Sequence, residues 1–361
     1  FQESTFPLYL MVGRFIQEII MRKYLTTLLL IGVGFCQEKS ISDGPYIFIE
    51  KGELIEKRIL NNGVTTRTLD KGSYDTLYYP DLSTYNGIRK IAAFSDIHGQ
   101  YDLLVSLLLN NKIIDKDLNW IFGEGHLVIV GDIFDRGDKV NEILWLVYDL
   151  EGQAKEKGGR VHYLLGNHEY MVLYNDLRYI HDKYHISSKL LDLEYDQLYG
   201  NNTVLGRWIR SKPTIVKIND IIFTHAGISE DFIAYESFNI ENINNKMRQS
   251  IPRLKEIRKL RRAGTKNKFY EIYFGGNSLI WYRGYFEENL KETDILKILE
   301  IVDANHIVVG HTSNERVVQL YNDKVIGVDS GLKRGKYGEL FLIKDDQFYR
   351  ATLNGKLIEL K

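Results

Sequence analysis

The sequence predicts an α/β fold closed by additional short strands, and three features carry that reading. Five apolar runs, Ile91 to Phe94, Leu127 to Val130, Val161 to Leu165, Ile221 to Phe223 and Ile307 to Val309, are β-branched or aromatic and bounded by Gly, Asp or Asn. They are too short for helices and read as buried strands. Between them, segments such as Tyr101 to Leu109 and Val140 to Leu150 repeat apolar residues at helical spacing, so strand and helix alternate. From Val317 onward the pattern is short strands only, turned at Asn322-Asp323 and Asn354-Gly355, and these are expected to build a second, antiparallel sheet.

At the N-terminus, Met21, Arg22 and Lys23 precede a mostly apolar run from Tyr24 to Phe35, followed by the polar Gln37 to Ser40. That order reads as a secretory signal peptide over residues 21–36, with residues 1–20 an over-extended reading frame outside the fold. The apolar run falls short of the roughly 20 residues of a membrane-spanning helix. An exported, periplasmic protein processed near Cys36 is expected, and a lipid on Cys36 would instead anchor it to a membrane.

Residues 37–90 read as an N-terminal β extension. Within it, Tyr46 to Ile49 and Leu54 to Leu60 alternate as strands, and Asn61-Asn62-Gly63 turns the chain into Val64 to Leu69. Residues 91–361 form the main domain, interrupted by 174–209 and 232–274, whose helical spacing marks them as insertions that could cap the core. Between Lys246 and Lys268 the second insertion carries ten Lys or Arg and one acid, Glu256. Ile251, Leu254, Ile257 and Leu260 are expected to pack on the core, with Arg258, Arg261 and Arg262 outward to attract acidic substrates.

Composition narrows the chemistry. With 44% hydrophobic residues, 26% charged and only 5 Pro in 361, the chain is neither disordered nor collagen-like. Lys plus Arg total 47 against 48 Asp plus Glu, so no overall field draws the protein to nucleic acid, and none is expected as a partner. Cys36 is the sole cysteine, which excludes disulfide frameworks and Cys-type zinc sites. Chemistry must rest on oxygen and imidazole.

The informative residues follow the five strands: Asp96 and His98, then Asp132, then Asn167 and His168, then His225, then His311. In α/β sheets, loops leaving the carboxyl ends of neighbouring strands converge on the ligand. One Asp or Asn after a strand is commonly a turn former, but five strands each ending in a metal-ligand type point to a site. Hard oxygen and borderline nitrogen donors without thiolate suit two divalent first-row metals such as manganese, iron or zinc. Such a pair needs a bridging carboxylate, and Asp132 is the natural one.

The segments Ser95-Asp96-Ile97-His98-Gly99, Gly131-Asp132-Ile133-Phe134-Asp135-Arg136-Gly137, Gly166-Asn167-His168-Glu169, Thr224-His225-Ala226-Gly227 and Gly310-His311-Thr312 resemble, in order and spacing, the motifs of calcineurin-like metallophosphoesterases. The Asp-Arg-Gly and Asn-His-Glu forms look most like the phosphoprotein phosphatase branch, particularly its bacterial-type Shewanella-like phosphatases. Two departures stand out: Ser95 replaces the usual leading Gly, and Ser313 stands where many phosphodiesterases have a second histidine.

The resemblance implies a β-sandwich of two mixed sheets flanked by helices, with 91–361 as the catalytic domain. It implies that Asp96, His98 and Asp132 hold one metal and that Asp132, Asn167, His225 and His311 hold the other. A metal-bridging hydroxide would then attack phosphorus directly, His168 would protonate the leaving oxygen, Asp135 would orient His168, and Arg136 would clamp phosphate. Arg283, in a stretch resembling the segment before the last metal histidine, is a candidate second phosphate contact, and Asn167 could also touch phosphate. Glu169 is expected to brace its loop, and Asp329 to end a strand beside the site. The substrate would be a phosphorylated protein or, alternatively, a dinucleoside polyphosphate or other small phosphoester. A phosphate binder without turnover is disfavoured by the intact set.

Overall fold

A computed structural model describes residues 40–287 and 290–360, so the signal-peptide segment, Cys36 and residues 1–20 lie outside the described residues. Strands β1 (Asp43–Glu50), β2 (Glu53–Leu60) and β3 (Gly63–Leu69) form an antiparallel sheet in that order. Asn61 and Asn62 make the second turn at φ 48° and 64°, the left-handed pair that a two-residue hairpin demands and Asn tolerates. Ile47 and Leu54 bury the sheet's apolar side against Val204, with Trp145 and Tyr148 packed beside them.

The main domain is a sandwich of two six-stranded mixed sheets. One has the order β15-β14-β13-β5-β6-β7, built from β5 (Lys90–Phe94), β6 (His126–Ile129), β7 (Arg160–Tyr163), β13 (Glu339–Lys344), β14 (Gln347–Thr352) and β15 (Leu357–Glu359). The other has the order β11-β12-β10-β9-β8-β4, built from β4 (Thr84–Tyr85), β8 (Ile215–Ile218), β9 (Ile221–Thr224), β10 (His306–Val309), β11 (Val318–Leu320) and β12 (Val325–Gly327).

Alternation along each strand explains why the runs are apolar throughout. Ile91, Ala93, Val128 and Val130 face Phe223, Val308 and Ile326 across the sandwich. Ala92, Phe94, Leu127 and Ile129 face outward onto Leu104, Leu107 and Leu108 of helix Tyr101–Asn110 and Leu144 and Val147 of helix Val140–Glu156. Each such Val, Leu, Ile or Phe side chain contributes roughly 1.5 to 3 kcal/mol by burial, and Ala92 and Ala93 less. Both faces are buried, so no polar stripe marks either one.

One expectation is overturned by the strand pairing. The C-terminal strands form no sheet of their own: β11 and β12 extend one sheet, and β13 lies antiparallel to β5 at the centre of the other. The five ligand-bearing strands divide between the two mixed sheets, with β5, β6 and β7 in one and β9 and β10 in the other. Short, doubly buried strands carry no mark of their pairing partner, because pairing is set by which loop can close the sandwich rather than by local pattern.

The first insertion holds helices Asp182–Leu191 and Val204–Ser211, and the second holds Glu230–Tyr235, Ile240–Ser250, Leu254–Arg262 and Lys268–Phe274. Ile251, Leu254 and Ile257 are buried, but Leu260 is 46% exposed, because the packing face ends a turn before the helix does. Arg258 does not point outward. It lies over the Tyr174 ring at 4.8 Å and pairs with the buried Asp176 carboxylate.

Candidate metal centre

The loops leaving β5, β6 and β10 turn sharply. Asp96, His98, Asp132, Asp135, Arg136 and His311 all have positive φ, between 43° and 73°. Non-glycine residues there cost on the order of 1 kcal/mol or more each, and such strain clusters at functional sites. Close approach of the loops also requires Gly131, whose Cβ would stand 2.7 Å from His225 Nδ1 and 2.8 Å from Gly166 Cα.

Glu169 holds these loops together. Its buried carboxylate accepts the backbone N–H groups of Asp132 (2.9 Å), Ile133 (2.7 Å) and Gly166 (2.7 Å) and the Tyr163 hydroxyl (2.9 Å). The two sheets are linked directly at the site, where His311 N–H donates to Asp96 Oδ2 at 2.8 Å, while Gly310 N–H to His225 O at 2.8 Å extends the β9–β10 pairing.

Lone pairs converge around Asp132. His225 donates Nδ1–H to Val130 O at 2.7 Å, which turns its Nε2 toward Asn167 Oδ1 (2.8 Å), His311 Nδ1 (3.2 Å) and Asp132 Oδ2 (3.3 Å). His98 donates Nδ1–H to Phe134 O at 2.6 Å, leaving a buried Nε2 without a hydrogen-bond partner among the described residues. That nitrogen stands 3.6 Å from Asp132 Oδ2 and 3.7 Å from Asp96 Oδ1. Candidate ligand atoms of Asp132, His225 and His311 lie within 4.8 Å of one another, as do those of His98, Asp132 and His168. Asp132 belongs to both sets. An orphaned imidazole nitrogen and four acceptors facing one another fit divalent cations, because only positive charge reconciles them.

The protein's own charges respond accordingly. Burial pushes the Asp132 and Asp96 carboxyls up, but the surrounding histidines more than offset it and hold both below the usual carboxylate range. Burial pushes His225 down, but Asp132 and Asp96 outweigh it and raise the imidazole to about 9. His311, lowered by burial, by His225 and by Arg283, falls to about 3.

His168 is buried beside the centre and bonds through Nδ1 to Asp135 Oδ2. Its backbone N–H donates to Asp132 Oδ1 at 3.1 Å, and its Nε2 lies 3.9 Å from Asp132 Oδ2. Burial lowers its pKa, but Asp132 and Asp135 prevail and raise it. Arg136 is exposed, and its guanidinium lies 5.4 Å from the Tyr179 ring. Arg283 Nη1 donates to His311 O and Thr312 Oγ1, both at 3.2 Å. Thus Asp96, His98, Asp132, Asn167, His168, His225 and His311 meet, with Asp135 behind His168 and Arg283 on the His311 loop.

Sequence reasoning passed over three features. Ser95, noted above only as a substitute for the usual glycine, donates its hydroxyl to Asp96 Oδ2 at 2.6 Å. Lys333 Nζ stands 3.3 Å from Asp329 Oδ2 and 3.8 Å from Asp96 Oδ1, and burial with the Asp96 charge pushes Asp329 up to about 6. Tyr179 stands 5.3 Å, ring to ring, from His168. The hydroxyl next to Asp96 was a readable signal for Ser95, whereas Tyr179 lies in a turn and Lys333 in the short 3-10 helix Leu332–Arg334, neither marked by pattern.

Residues 89–314 match the calcineurin-like phosphoesterase family. The chain is 30% identical over 278 residues to Shewanella-like protein phosphatase 1 of Plasmodium berghei (strain Anka), covering 73% of each chain. It is 24% identical over 295 residues to Shewanella-like protein phosphatase 2 of Arabidopsis thaliana, covering 68% of this chain and 72% of that one. Among solved structures, the cold-active protein-tyrosine phosphatase of a psychrophilic Shewanella species superposes with a TM-score of 0.83 at 42% identity, over 89% of this chain and 100% of that chain.

Proposed function

The chain belongs to the calcineurin-like phosphoesterase family and is a metal-dependent phosphoester hydrolase, and from that premise we propose that it is a protein phosphatase whose substrates include phosphotyrosine. The observation that carries this reading is the convergence of Asp132, His225, Asn167 and His311 donor atoms beside the His168–Asp135 pair. The 42% identical tyrosine phosphatase from Shewanella supports the substrate class.

Asp96, His98 and Asp132 would hold one divalent ion, and Asp132, Asn167, His225 and His311 a second, with manganese, iron and zinc all compatible with this donor set. When bound, the pair polarises the phosphoryl group and lowers the pKa of water enough to supply hydroxide for attack on phosphorus. Asp135, by accepting from His168 Nδ1, orients the ring and with Asp132 favours its protonated form, the imidazolium that carries a transferable proton on Nε2. His168 then gives that proton to the leaving oxygen, which an alkoxide or phenoxide requires near neutral pH. Arg136 and Arg283 supply planar donors for the remaining phosphate oxygens. The order of charged, apolar and polar residues over 21–40 supports export to the periplasm as the setting.

Hydrolysis of para-nitrophenyl phosphate and of phosphotyrosine, phosphoserine and phosphothreonine peptides, measured with metal, with chelator and after re-addition of manganese, tests the reading. Peptide hydrolysis that chelator abolishes and metal restores is expected. Turnover of diadenosine tetraphosphate with no hydrolysis of phosphopeptides would replace it with the small-phosphoester alternative.

A further inference from the structure

We infer that Tyr179 is the platform that recognises the aromatic ring of a phosphotyrosine leaving group, a specificity role resting on the phosphatase reading above. Tyr179 comes from the first insertion, not from any of the site motifs, and it is 41% exposed. Its ring centroid lies 5.3 Å from that of His168, tilted by 51°. An exposed aromatic side chain beside the buried proton donor marks the place where the leaving group emerges.

The ring is held rather than free. Tyr179 O accepts the Arg136 N–H at 2.8 Å, so the platform and Arg136 are joined by one backbone bond. The guanidinium groups of Arg136 and Arg178 each lie 5.4 Å from the Tyr179 centroid. Arg178 is itself fixed by Asp176, with Nε to Oδ1 and Nη2 to Oδ2 both at 2.8 Å. Two cations beside one ring keep its orientation defined despite its exposure.

Reaction geometry connects this ring to the substrate. The leaving oxygen must come within hydrogen-bond reach of His168 Nε2, about 2.6 to 3.2 Å. In phosphotyrosine the aromatic ring is bonded directly to that oxygen, so it lies next to the His168 ring. Aromatic pairs are favourable at centroid separations of roughly 4.5 to 7 Å, and Tyr179 occupies that neighbouring position. In phosphoserine the same oxygen carries a single methylene, which offers Tyr179 no ring.

The test compares kcat/KM for phosphotyrosine and phosphoserine peptides of otherwise identical sequence in metal-loaded wild type, Tyr179→Ala and Tyr179→Phe. Tyr179→Ala should lose about 2 to 12-fold on phosphotyrosine, the range expected of one aromatic pair, and change little on phosphoserine. Tyr179→Phe should keep the wild-type ratio. Phosphoserine turnover also reports whether the variants remain folded. An active wild type whose phosphotyrosine to phosphoserine ratio is unmoved by Tyr179→Ala would overturn this inference alone. A greater loss on diadenosine tetraphosphate than on phosphotyrosine would also overturn it, by assigning the ring to a nucleobase. Wild type that hydrolyses neither peptide would overturn the phosphatase reading and this inference with it.

Discussion

His225 Nε2 and His311 Nδ1 face each other at 3.2 Å, their rings crossed at 63°, and Asp132 Oδ2 stands 3.3 Å from the same His225 nitrogen. Neutral imidazoles gain nothing from such an approach unless a proton or a cation lies between them. Metal analysis of the loaded protein should therefore give close to two ions per chain. Asp132→Asn should lower occupancy of both positions together, because Asp132 belongs to both ligand sets. Metal at 100 times its dissociation constant stabilises by about 2.7 kcal/mol, so added metal should raise the Tm of wild type but not of the variant. A fully active, metal-free wild type would sink this assignment.

The proposed proton donation by His168 should be separable from metal binding. Its Nδ1 is committed to Asp135, and its Nε2 lies 3.9 Å from Asp132 Oδ2. His168→Ala should cost about 100 to 10,000-fold in kcat on phosphotyrosine while metal content stays near that of wild type. The deficit should shrink on para-nitrophenyl phosphate, whose leaving group scarcely needs a proton. Because His98, Asp132 and His168 form one of the compact donor groups, metal analysis is decisive: an emptied site in His168→Ala would make His168 a ligand.

The metal centre was more legible than the architecture around it. Asp96, Asp132, Asn167, His225 and His311 each lie one residue beyond an apolar run, so strand end and candidate ligand are close in sequence. Sheet membership was not legible, since β9 and β13 look alike locally yet pair in different sheets. Arg258 misled because helical spacing places it beside Ile257, and only the fold brings Asp176, 82 positions earlier, within reach. Tyr179 had no local signal, since its partners Arg136 and His168 come from segments distant in sequence, a loop and the first turn of a helix.

Glu169 should prove structural rather than reactive. Its carboxylate accepts from Asp132 N, Ile133 N, Gly166 N and Tyr163 Oη, and all of these are buried with it. Each donor left unsatisfied costs about 1 to 3 kcal/mol, so Glu169→Ala should fold poorly or lose several kcal/mol. Glu169→Gln keeps the size but replaces one acceptor oxygen with an NH₂ facing an N–H. Urea unfolding of Glu169→Gln should show a loss of about 1 to 3 kcal/mol, together with weakened metal binding. Wild-type stability in that variant would refute the bracing role.

A second histidine pair, away from the proposed ligands, should make the fold acid-sensitive. His162 Nε2 and His126 Nδ1 are 2.9 Å apart beneath Tyr85. Burial, aided by Arg160, lowers His126 to about 4, and burial with His126 and Arg160 lowers His162 as well. Both are neutral when folded, whereas unfolded histidine protonates below about 6.5. The unfolded chain therefore binds more protons, so this contribution is complete above about pH 6.5 and is lost as pH falls toward about 4. Replacing both residues with Leu should flatten the decline in Tm over that window relative to wild type. Parallel Tm curves for the two proteins would remove the pair as its source.

Asp176 ties the two insertions together, and the tie should be unequal. Its carboxylate, 3% exposed, accepts from Arg178 Nε and Nη2 and from Arg258 Nη2. The Arg178 side chain is 60% exposed, and a pair so open to solvent is worth about 0 to 1 kcal/mol. Arg258 is 15% exposed and covers the Tyr174 ring, so stripping away its partner leaves a poorly solvated cation. Breaking such a pair costs about 3 kcal/mol where burial is nearly complete. A double-mutant cycle by urea unfolding should therefore give a larger coupling of Asp176 to Arg258 than to Arg178. Arg258→Gln should act on stability, with little change in the salt dependence of KM for acidic phosphopeptides, because a guanidinium already neutralised by Asp176 adds little long-range field. A stronger coupling to Arg178, or a KM that loses its salt dependence in Arg258→Gln, would return Arg258 to the role of an outward, substrate-attracting charge.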